Sequence, residues 1–349
     1  MSCDLSVLHG RYLNDILDQP RAIRATWEAL HDSQALERIS ELLAKKSFER
    51  LVLTGMGSSY FALHPLALEA AERGWTPVML ETSELVHYYP QLLEGSTLVI
   101  AVSQSGKSAE TLRLLKHDGD GHVVLAVTNT VDSPLATQAD LTLLTYAGEE
   151  FSVSCKTFVS TLVALSVLGA VLVGDGKAER LSDLEPSADG AENYLRSWQS
   201  HVLHLYEELE ETRHLFLVGR GPSLAAVGTG ALIIKESDHF HAEGMSSAAF
   251  RHGPFEMLTP AAFVGVFAGD ERTRELNDRL AADVREHGTK CVVISSDSQE
   301  AACQIPNVSP NARPIMEILP VQMMTLALAA IEGREPGKFE RATKVTVVE

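Results

Sequence analysis

Residues 98–115, LVIAVSQSGKSAETLRLL, decide how we interpret the fold of this chain. The first five form a continuous apolar run with valine and isoleucine, which is typical of a strand buried on both faces of a parallel sheet. A polar turn, residues 103–108, follows this strand, and leucines at helical spacing come next. The stretch therefore predicts a strand, a tight turn and the N-terminus of a helix.

The turn itself is unusually rich in hydroxyl groups. Ser103, Ser105 and Ser108 surround a single glycine, where backbone N–H groups and the positive end of a helix dipole are also available. Such an arrangement suits an anion of phosphate size. Serine also caps ordinary helices, so a plain capped turn is the alternative. Three serines in six residues exceed what a cap needs, and we therefore favour a phosphate site.

Composition limits the classes of protein that the chain can represent. The length of 349 residues suggests two domains, and 45% apolar with 22% charged residues is ordinary for an α/β protein. A net charge of −18 argues against nucleic-acid binding, which needs a basic surface. The four cysteines lie far apart without metal-ligand spacing, which favours reduced thiols in the cytoplasm and no metal site.

Targeting and membrane segments are not expected. The first ten residues, MSCDLSVLHG, lack the basic and apolar regions of a signal peptide. Residues 157–173 run for 17 positions without a charge but contain four Ser or Thr residues, and a membrane span needs about 20 predominantly apolar residues. We interpret this segment as a buried helix, and we expect no membrane partner.

The chain before and around the central strand follows an alternating pattern. Residues 1–48 have apolar residues at spacings of three and four, which predicts a helical arm with a break near Pro20. Short apolar strands at 50–54, 77–81, 98–102, 122–128 and about 141–145 then alternate with helical stretches. This alternation predicts a parallel sheet covered by helices on both faces. The polar stretch 174–189 is the candidate domain boundary.

The pattern starts again after this boundary. Gly219 and Gly221 repeat Gly55 and Gly57 at a distance of 164 residues, and apolar runs beginning at 263 and 290 repeat the following strands. We therefore predict two copies of one doubly wound α/β domain, at 49–175 and 190–335, with an arm at 1–48 and a tail at 336–349. The second copy has Ala268-Gly-Asp in place of the serine-rich turn, so the copies differ in function.

Glycines after the first strand partly match a dinucleotide-binding motif, but the motif is incomplete. The motif needs a third glycine for close packing of helix and sheet. Tyr60 stands there in the first copy and Leu224 in the second. We expect no nicotinamide cofactor, and none of another kind. Ser58 and Ser59 instead extend the set of hydroxyl groups at the carboxyl ends of the strands.

Set side by side, the repeat and its motifs resemble the double SIS (sugar isomerase) domain family. The sequence is similar to the isomerase half of glucosamine-6-phosphate synthase and to SIS-type amino-sugar-phosphate deaminases and deglycases. The resemblance runs from about residue 20 to the C-terminus. It depends on these motifs: GMGSSY at 55–60, SQSGKSAET at 103–111, KESDHFHAEG at 235–244, RHGP at 251–254 and TKVTVVE at 343–349. The fold that it implies is flavodoxin-like.

The resemblance also implies a set of site residues. Its phosphosugar-binding residues would be Ser58, Ser59, Ser103, Gln104, Ser105, Ser108, Val153 and Ser154. Glu236 matches the glutamate that moves a proton between C1 and C2, and His252 matches a histidine of ring opening that comes from the neighbouring subunit. Lys344 matches a tail lysine that contacts the open-chain sugar. A homodimer with a shared site and a sugar 6-phosphate as the small-molecule partner are therefore expected.

General chemistry agrees with these roles. Proton transfer between adjacent carbons needs a carboxylate, ring opening needs a proton shuttle near neutral pH, and a partly buried carboxylate is a stronger base than an exposed one. Without the resemblance, Glu236 would be interpreted as a solvated acid beside Lys235. For His252 a functional role and a plain turn at HGP would then be equally open.

Two departures from the synthase affect the predicted activity. Ile233 stands where the synthase has a lysine one helical turn before the glutamate, and Ser2 precedes Cys3, so no N-terminal cysteine nucleophile for glutamine hydrolysis is expected. Our first hypothesis is therefore an amino-sugar 6-phosphate deaminase or deglycase. A 6-phosphosugar aldose–ketose isomerase and a non-catalytic sugar-phosphate-binding regulator are the alternatives. The sequence leaves open the substrate and the group on its nitrogen.

Overall fold

The computed structural model describes residues 4–31, 33–173, 181–182, 184–341 and 343–346. The chain divides into two compact units, each built from separate segments. We call the first of them the first-copy unit; it comprises Arg21–Glu149, Lys156–Glu185 and Arg341–Glu349. The other, the second-copy unit, comprises Met1–Pro20, Glu150–Cys155 and Pro186–Glu340.

A parallel sheet of five strands forms the centre of the first-copy unit, in the order β2-β1-β3-β4-β5. Its strands are β1 (Arg50–Gly55), β2 (Pro77–Glu81), β3 (Thr97–Val102), β4 (Val123–Thr128) and β5 (Leu141–Leu144). Every residue of β3 and β4 is buried, as the continuous apolar runs predict for central strands of a covered sheet. The predicted doubly wound sheet is confirmed, and its strand order is the flavodoxin-like one.

The second-copy unit repeats this topology with four parallel strands in the order β7-β6-β8-β9. They are β6 (His214–Gly219), β7 (Ala242–Ser246), β8 (Ala262–Phe267) and β9 (Lys290–Ile294). The sequence did not predict β7, because AEGMS has neither an apolar run nor strict alternation. Pairing with β6 imposes the extended conformation on this edge strand.

Helices cover both sheets. They are α1 (Arg11–Leu17), α2 (Gln19–Leu30), α3 (Gln34–Lys45), α4 (Ser58–Phe61), α5 (His64–Glu72), α6 (Thr82–Tyr88), α7 (Ala109–Leu115), α8 (Pro134–Gln138), α9 (Lys156–Val173), α10 (Leu184–Leu195), α11 (Trp198–Leu209), α12 (Leu224–Asp238), α13 (Ser247–Arg251), α14 (Arg274–Glu286) and α15 (Arg313–Glu332). Short 3-10 helices occupy Leu5–Leu8, Pro90–Leu93, Gly221–Ser223, Pro254–Met257 and Ala301–Cys303.

The helical N-terminal region is confirmed, including the interruption near Pro20. Helix α1 ends at Leu17, and Pro20 is the second residue of α2, a position that proline tolerates because its missing N–H has no partner within the helix there. Within the second-copy unit, the Gln19 side chain exchanges hydrogen bonds of 2.8 and 2.9 Å with the Gln322 side chain of α15. This buried amide pair fixes the start of the chain against α15.

The apolar segment at 157–173 forms α9, and its described side chains are mostly buried, as expected. One described helix, α15, is long and apolar enough to cross a membrane, but 94% of its most apolar stretch is buried inside the protein. Of the predicted boundary at 174–189, residues 174–180 and 183 lie outside the described residues. Cys155, Cys291 and Cys303 are buried and free of disulfides, whereas Cys3 falls outside the described part.

Candidate functional site

The first sheet has a crevice between the carboxyl ends of β1 and β3. The two strands pair in parallel with Gly55 opposite Val102, while the chain order reverses between them. Open α/β sheets bind ligands at such a switch point. Ser58 and Ser59 follow β1 in α4, and residues 103–108 follow β3, so the structure brings these hydroxyl-bearing segments to the same crevice.

The serine-rich turn is held in shape by its own hydroxyl groups. The Gly106 N–H donates to Ser103 Oγ at 3.2 Å, and the Lys107 N–H donates to Ser105 Oγ at 3.4 Å. Ser108 is the N-cap of α7 and accepts from the Thr111 N–H at 3.3 Å. The capping interpretation is therefore correct for Ser108, while Ser103 and Ser105 form an additional hydroxyl cluster in front of the helix.

The conformation of this turn requires glycine at position 106. Gly106 has a φ of 63°, and a Cβ added there would overlap the Ser133 side chain. The Gln104 carbonyl oxygen accepts from the Asn129 N–H at 3.1 Å and from the Thr128 hydroxyl at 3.3 Å. These bonds attach the turn to the end of β4, so the serine hydroxyls are held in place before any ligand arrives.

The C-terminal tail reaches the same turn. The Ala109 N–H, at the first position of α7, donates to the Thr346 carbonyl oxygen at 3.1 Å. Lys344 lies two residues earlier and is half-buried. The tail lysine is thereby placed in the first-copy unit, on the segment that meets the N-terminus of α7.

Glu236 belongs to the second-copy unit, in the last turn of α12, where its side chain is half-buried. The helix ends at His239 with a left-handed φ of 55°. The Arg334 guanidinium donates to the Asp238 carbonyl oxygen at 3.0 Å, which gives a hydrogen-bond partner to a free carbonyl at the end of this helix. Ile233, one turn before Glu236, is fully buried, so an apolar contact replaces the lysine of the synthase pattern.

Two residues near Glu236 were missed by sequence reasoning. Tyr12 is 1% exposed, and its hydroxyl lies 3.3 Å from the Thr325 hydroxyl. Burial, together with the Cys155 thiol and the carboxylates of Asp238 and Glu236, raises the pKa of Tyr12 well above its usual range. No local signal connects Tyr12 with the site, because Tyr12 lies more than 200 residues before Glu236 in the sequence.

Asp238 is the second missed residue. Burial raises the pKa of this carboxyl well above its ordinary value, although Arg334 and Ser237 oppose the shift. Among the described residues, nothing bonds to its Oδ2 atom. This buried carboxyl lies two positions from Glu236. An acid at the end of a largely apolar helix was the available sequence signal.

His252 lies on an exposed loop of the second-copy unit. It follows α13 directly and precedes Gly253, whose φ of 136° only glycine adopts readily. The preceding Arg251 forms an ion pair with Asp283 and lies 5.7 Å from the Phe255 ring centre. These contacts hold the loop while the imidazole stays accessible.

Val153 and Ser154 lie in the 150–155 segment of the second-copy unit. Val153 is fully buried and Ser154 is half-buried. The Asp15 carboxylate accepts from the Phe151 N–H at 2.7 Å, and the Glu150 carboxylate accepts from the Cys155 N–H at 2.9 Å, which shapes the loop. Because its side chain is buried, Val153 offers a ligand only its backbone groups.

The predicted site residues thus form two groups. The first-copy unit holds Ser58, Ser59, Ser103, Gln104, Ser105, Ser108 and Lys344, and the second-copy unit holds Val153, Ser154, Glu236 and His252. Across the described ranges, no group of three or more His, Cys, Asp or Glu side chains is arranged to hold a metal ion.

The repeated flavodoxin-like sheet, with a hydroxyl-rich turn at its switch point, defines the class of doubly wound α/β proteins. Residues 42–171 and 208–332 match the SIS domain family, and the chain belongs to that family. The two matched segments coincide with the two sheets.

Relatives extend this assignment. Glutamine–fructose-6-phosphate aminotransferase (isomerizing) of Thermococcus kodakarensis is 31% identical over 97% of this chain, which spans only 58% of that protein. The C-terminal domain of glucosamine-fructose-6-phosphate aminotransferase from Francisella tularensis has a similar fold, with a TM-score of 0.84, 21% identity and coverage of 95% and 98% of the two chains. Glucosamine-6-phosphate deaminase from Thermotoga maritima also has a similar fold, with a TM-score of 0.78 and 18% identity. The match covers 97% of this chain and 100% of the deaminase chain. The chain is an SIS-type enzyme related to the isomerase half of the aminotransferase.

Proposed function

We propose that this enzyme removes nitrogen from an amino-sugar 6-phosphate, as a deaminase of glucosamine 6-phosphate or a deglycase of a fructosamine-type 6-phosphate. The observation that carries the proposal is the hydroxyl-lined turn 103–108 at the switch point of the first sheet, which suits the phosphate of a sugar. The names of two relatives, the aminotransferase and the deaminase, support an amino-sugar phosphate as the substrate class.

The proposed chemistry assigns a role to each group. Glu236 takes the C2 proton of the ring-opened glucosamine 6-phosphate and returns it to C1, which converts the C2 amine into an imine. Water then adds to C2, and nitrogen leaves as ammonia, giving the ketose phosphate. A fructosamine-type substrate reacts with the reverse proton transfer, from C1 to C2, and releases its amine from C1. His252 carries protons in ring opening, and Lys344 contacts the open chain.

The second candidate is an aldose–ketose isomerase that uses the same proton transfer without loss of nitrogen. The isomerizing activity in the aminotransferase's name supports it. Ile233 in place of the synthase lysine weakens it, because a cationic group near the proton-transfer site is then missing from this position.

One experiment separates the candidates. The purified protein is incubated in deuterated water with glucosamine 6-phosphate, with a fructosamine 6-phosphate and with fructose 6-phosphate, and products are followed by NMR and an ammonia assay. Release of ammonia or free amine supports the proposal. Deuterium exchange with no amine release supports the isomerase. Thermal stabilisation by the phosphosugars without either reaction would indicate a sugar-phosphate-binding regulator.

We also propose a homodimer whose site combines Glu236 of one subunit with His252 of the other. Glu236→Gln and His252→Gln proteins, each inactive alone, would then regain activity on mixing and subunit exchange, because one site per mixed dimer holds both native residues. If mixing restores nothing while the two variants demonstrably exchange subunits, both residues belong to the same chain's site.

A further inference from the structure

The second-copy unit contains a cavity of about 200 Å³ at the carboxyl ends of β8 and β9. Its polar lining includes Asp270, Arg274, Ser295, Ser296, Arg313 and Glu317. A single buried water needs only about 10–15 Å³ of such volume, so the space fits a small organic molecule as well as several waters.

Glu317 is the feature of this cavity that points to a ligand. The residue is 1% exposed, and its Oε1 accepts a hydrogen bond from the Ser223 hydroxyl at 2.8 Å. Oε2 is buried and accepts no hydrogen bond from any residue that the structure describes. A buried acceptor without a donor is costly, so this atom favours a bound molecule that carries an O–H or N–H group.

The cavity has the position in the second sheet that the serine-rich turn has in the first. Strand β8 lies beside β6 as β3 lies beside β1, and Gly269, with a φ of 72°, begins the turn after β8. Its flanking residues are Ala268 and Asp270 rather than serines. The fold therefore preserves a ligand-binding location while its chemistry has changed.

Charges around the cavity disfavour a phosphate. Arg274 is bound by Asp278 at 2.8 Å and by Asp297 at 3.0 Å, and Asp270 is paired with Arg272 at 2.7 Å. Arg313, one helical turn before Glu317 on α15, lines the cavity together with the acidic Glu271 and Glu317. An uncharged ligand that offers both donors and acceptors matches this balanced lining better than an anion does.

We propose that this cavity binds an uncharged polyhydroxylated molecule of monosaccharide size, with one hydroxyl donating to Glu317 Oε2 and a neighbouring oxygen accepting from Arg313. A carboxylate oxygen accepts from a hydroxyl and a guanidinium donates to an oxygen, so the two groups suit a ligand with several hydroxyls. The site is separate from the phosphosugar crevice, and it does not depend on the proposed function, because the ligand carries no phosphate and undergoes no reaction.

The test uses free hexoses, with glucose and galactose as probes, and saturation-transfer NMR followed by calorimetric titration of the full-length protein. Glu317→Gln preserves the volume and the bond to Ser223, and we expect it to weaken hexose binding at least ~10-fold, since the amide nitrogen that takes the place of Oε2 cannot accept the ligand's hydrogen bond. Val308→Phe, which fills the cavity from its lining, should have the same effect. Arg279→Gln, on the exposed face of α14, is the matched control and should bind normally.

Three results would overturn the proposal. The first is a lack of saturable hexose binding by the wild-type protein, which would leave water as the occupant. The second is unchanged binding in both Glu317→Gln and Val308→Phe proteins that fold normally by circular dichroism. The third is loss of binding in Ser105→Asp, which alters only the first-copy turn, together with normal binding in Glu317→Gln. That result would place the hexose in the phosphosugar crevice instead.

Discussion

The backbone N–H of Ala109 donates to the carbonyl oxygen of Thr346 at 3.1 Å, which joins the tail to the first residue of α7. This N–H would otherwise be one of the unsatisfied donors of a helix N-terminus. Ser108, beside it, belongs to the hydroxyl-rich turn, and Lys344 lies two residues before the acceptor. This backbone hydrogen bond therefore brings the segment that carries the tail lysine to the N-terminus of α7.

Ala109→Pro tests this bond. Proline is favoured at the first position of a helix, and the ψ of 157° at Ser108 is compatible with a following proline, so α7 should persist. The substitution removes only the N–H that holds the tail. We expect the turnover of phosphosugar to fall about as far as in Lys344→Ala, and carboxypeptidase to trim the tail faster.

Ala109→Gly is the control for this prediction, because it keeps the N–H. It should lose little activity and leave the tail resistant to trimming. Equal behaviour of the proline and glycine variants would show that the bond does not position Lys344.

Gly106→Ala should destabilise the protein and abolish phosphosugar binding. A left-handed residue other than glycine costs ~1–2 kcal/mol, and the added Cβ would also overlap the Ser133 side chain. Gly74→Ala provides a matched comparison, since its φ is 87° but no described atom lies within 4 Å of the added Cβ. Chemical denaturation should give a larger loss for Gly106→Ala, and equal losses would contradict the tight fit that we describe.

Glu236→Gln should lower kcat by about 10²- to 10⁴-fold, the usual contribution of a general base, with a small change in KM. Lys235→Gln changes an exposed neighbour on the same helix and should remain active. The measurement is the initial rate of amine release or, for the isomerase alternative, of deuterium exchange at C2. Full turnover by Glu236→Gln would remove Glu236 from the proton-transfer step.

Glu317 makes the stability of the fold depend on pH. Burial raises the pKa of Glu317 from 4.5 to about 7, with Asp270 adding to the shift and with Ser223 and Arg313 opposing it. The folded protein therefore holds a proton that the unfolded chain has lost in this interval. The contribution of Glu317 to the free energy of unfolding is fully present below pH 4.5 and is lost as the pH rises through about 7.

Glu317→Gln should remove this dependence. The variant should gain stability relative to the wild type on going from about pH 5 to about pH 8.5, by up to ~3 kcal/mol at 1.36 kcal/mol per pKa unit. Denaturant titrations at both pH values measure the difference. Arg279→Gln serves as the control, and a difference that is the same at both pH values would mean that Glu317 is not protonated in the folded protein.

Much of the fold could be predicted from the sequence because its signals are local. Continuous apolar runs identified the central strands β3 and β4, and the spacing of Gly55 and Gly219 revealed the repeat. Strand β7 was not predicted, because its extended conformation comes from pairing with β6 rather than from its own composition. The residues of β7 alone do not indicate that β6 lies beside them.

The candidate site was predictable to a lesser degree. The hydroxyl-rich turn is contiguous, so its serines were visible in the sequence, and the tail was assigned by resemblance. Tyr12 and Glu317 were not found, since their surroundings are created by tertiary packing: Thr325 approaches the phenol and Ser223 the carboxyl. Buried ionisable groups of this kind become apparent only when distant segments meet.

The chain passes between the two units at Pro20, Glu149, Cys155, Glu185 and Glu340. If the sequence were divided at its midpoint, each half would lack part of a unit. The C-terminal half would lack the Gln19 amide that binds Gln322, and the N-terminal half would lack the Thr346 carbonyl that accepts from Ala109. Neither half is self-sufficient as a contiguous polypeptide. Each unit therefore needs residues from both halves of the sequence, and truncation at either end removes part of a unit.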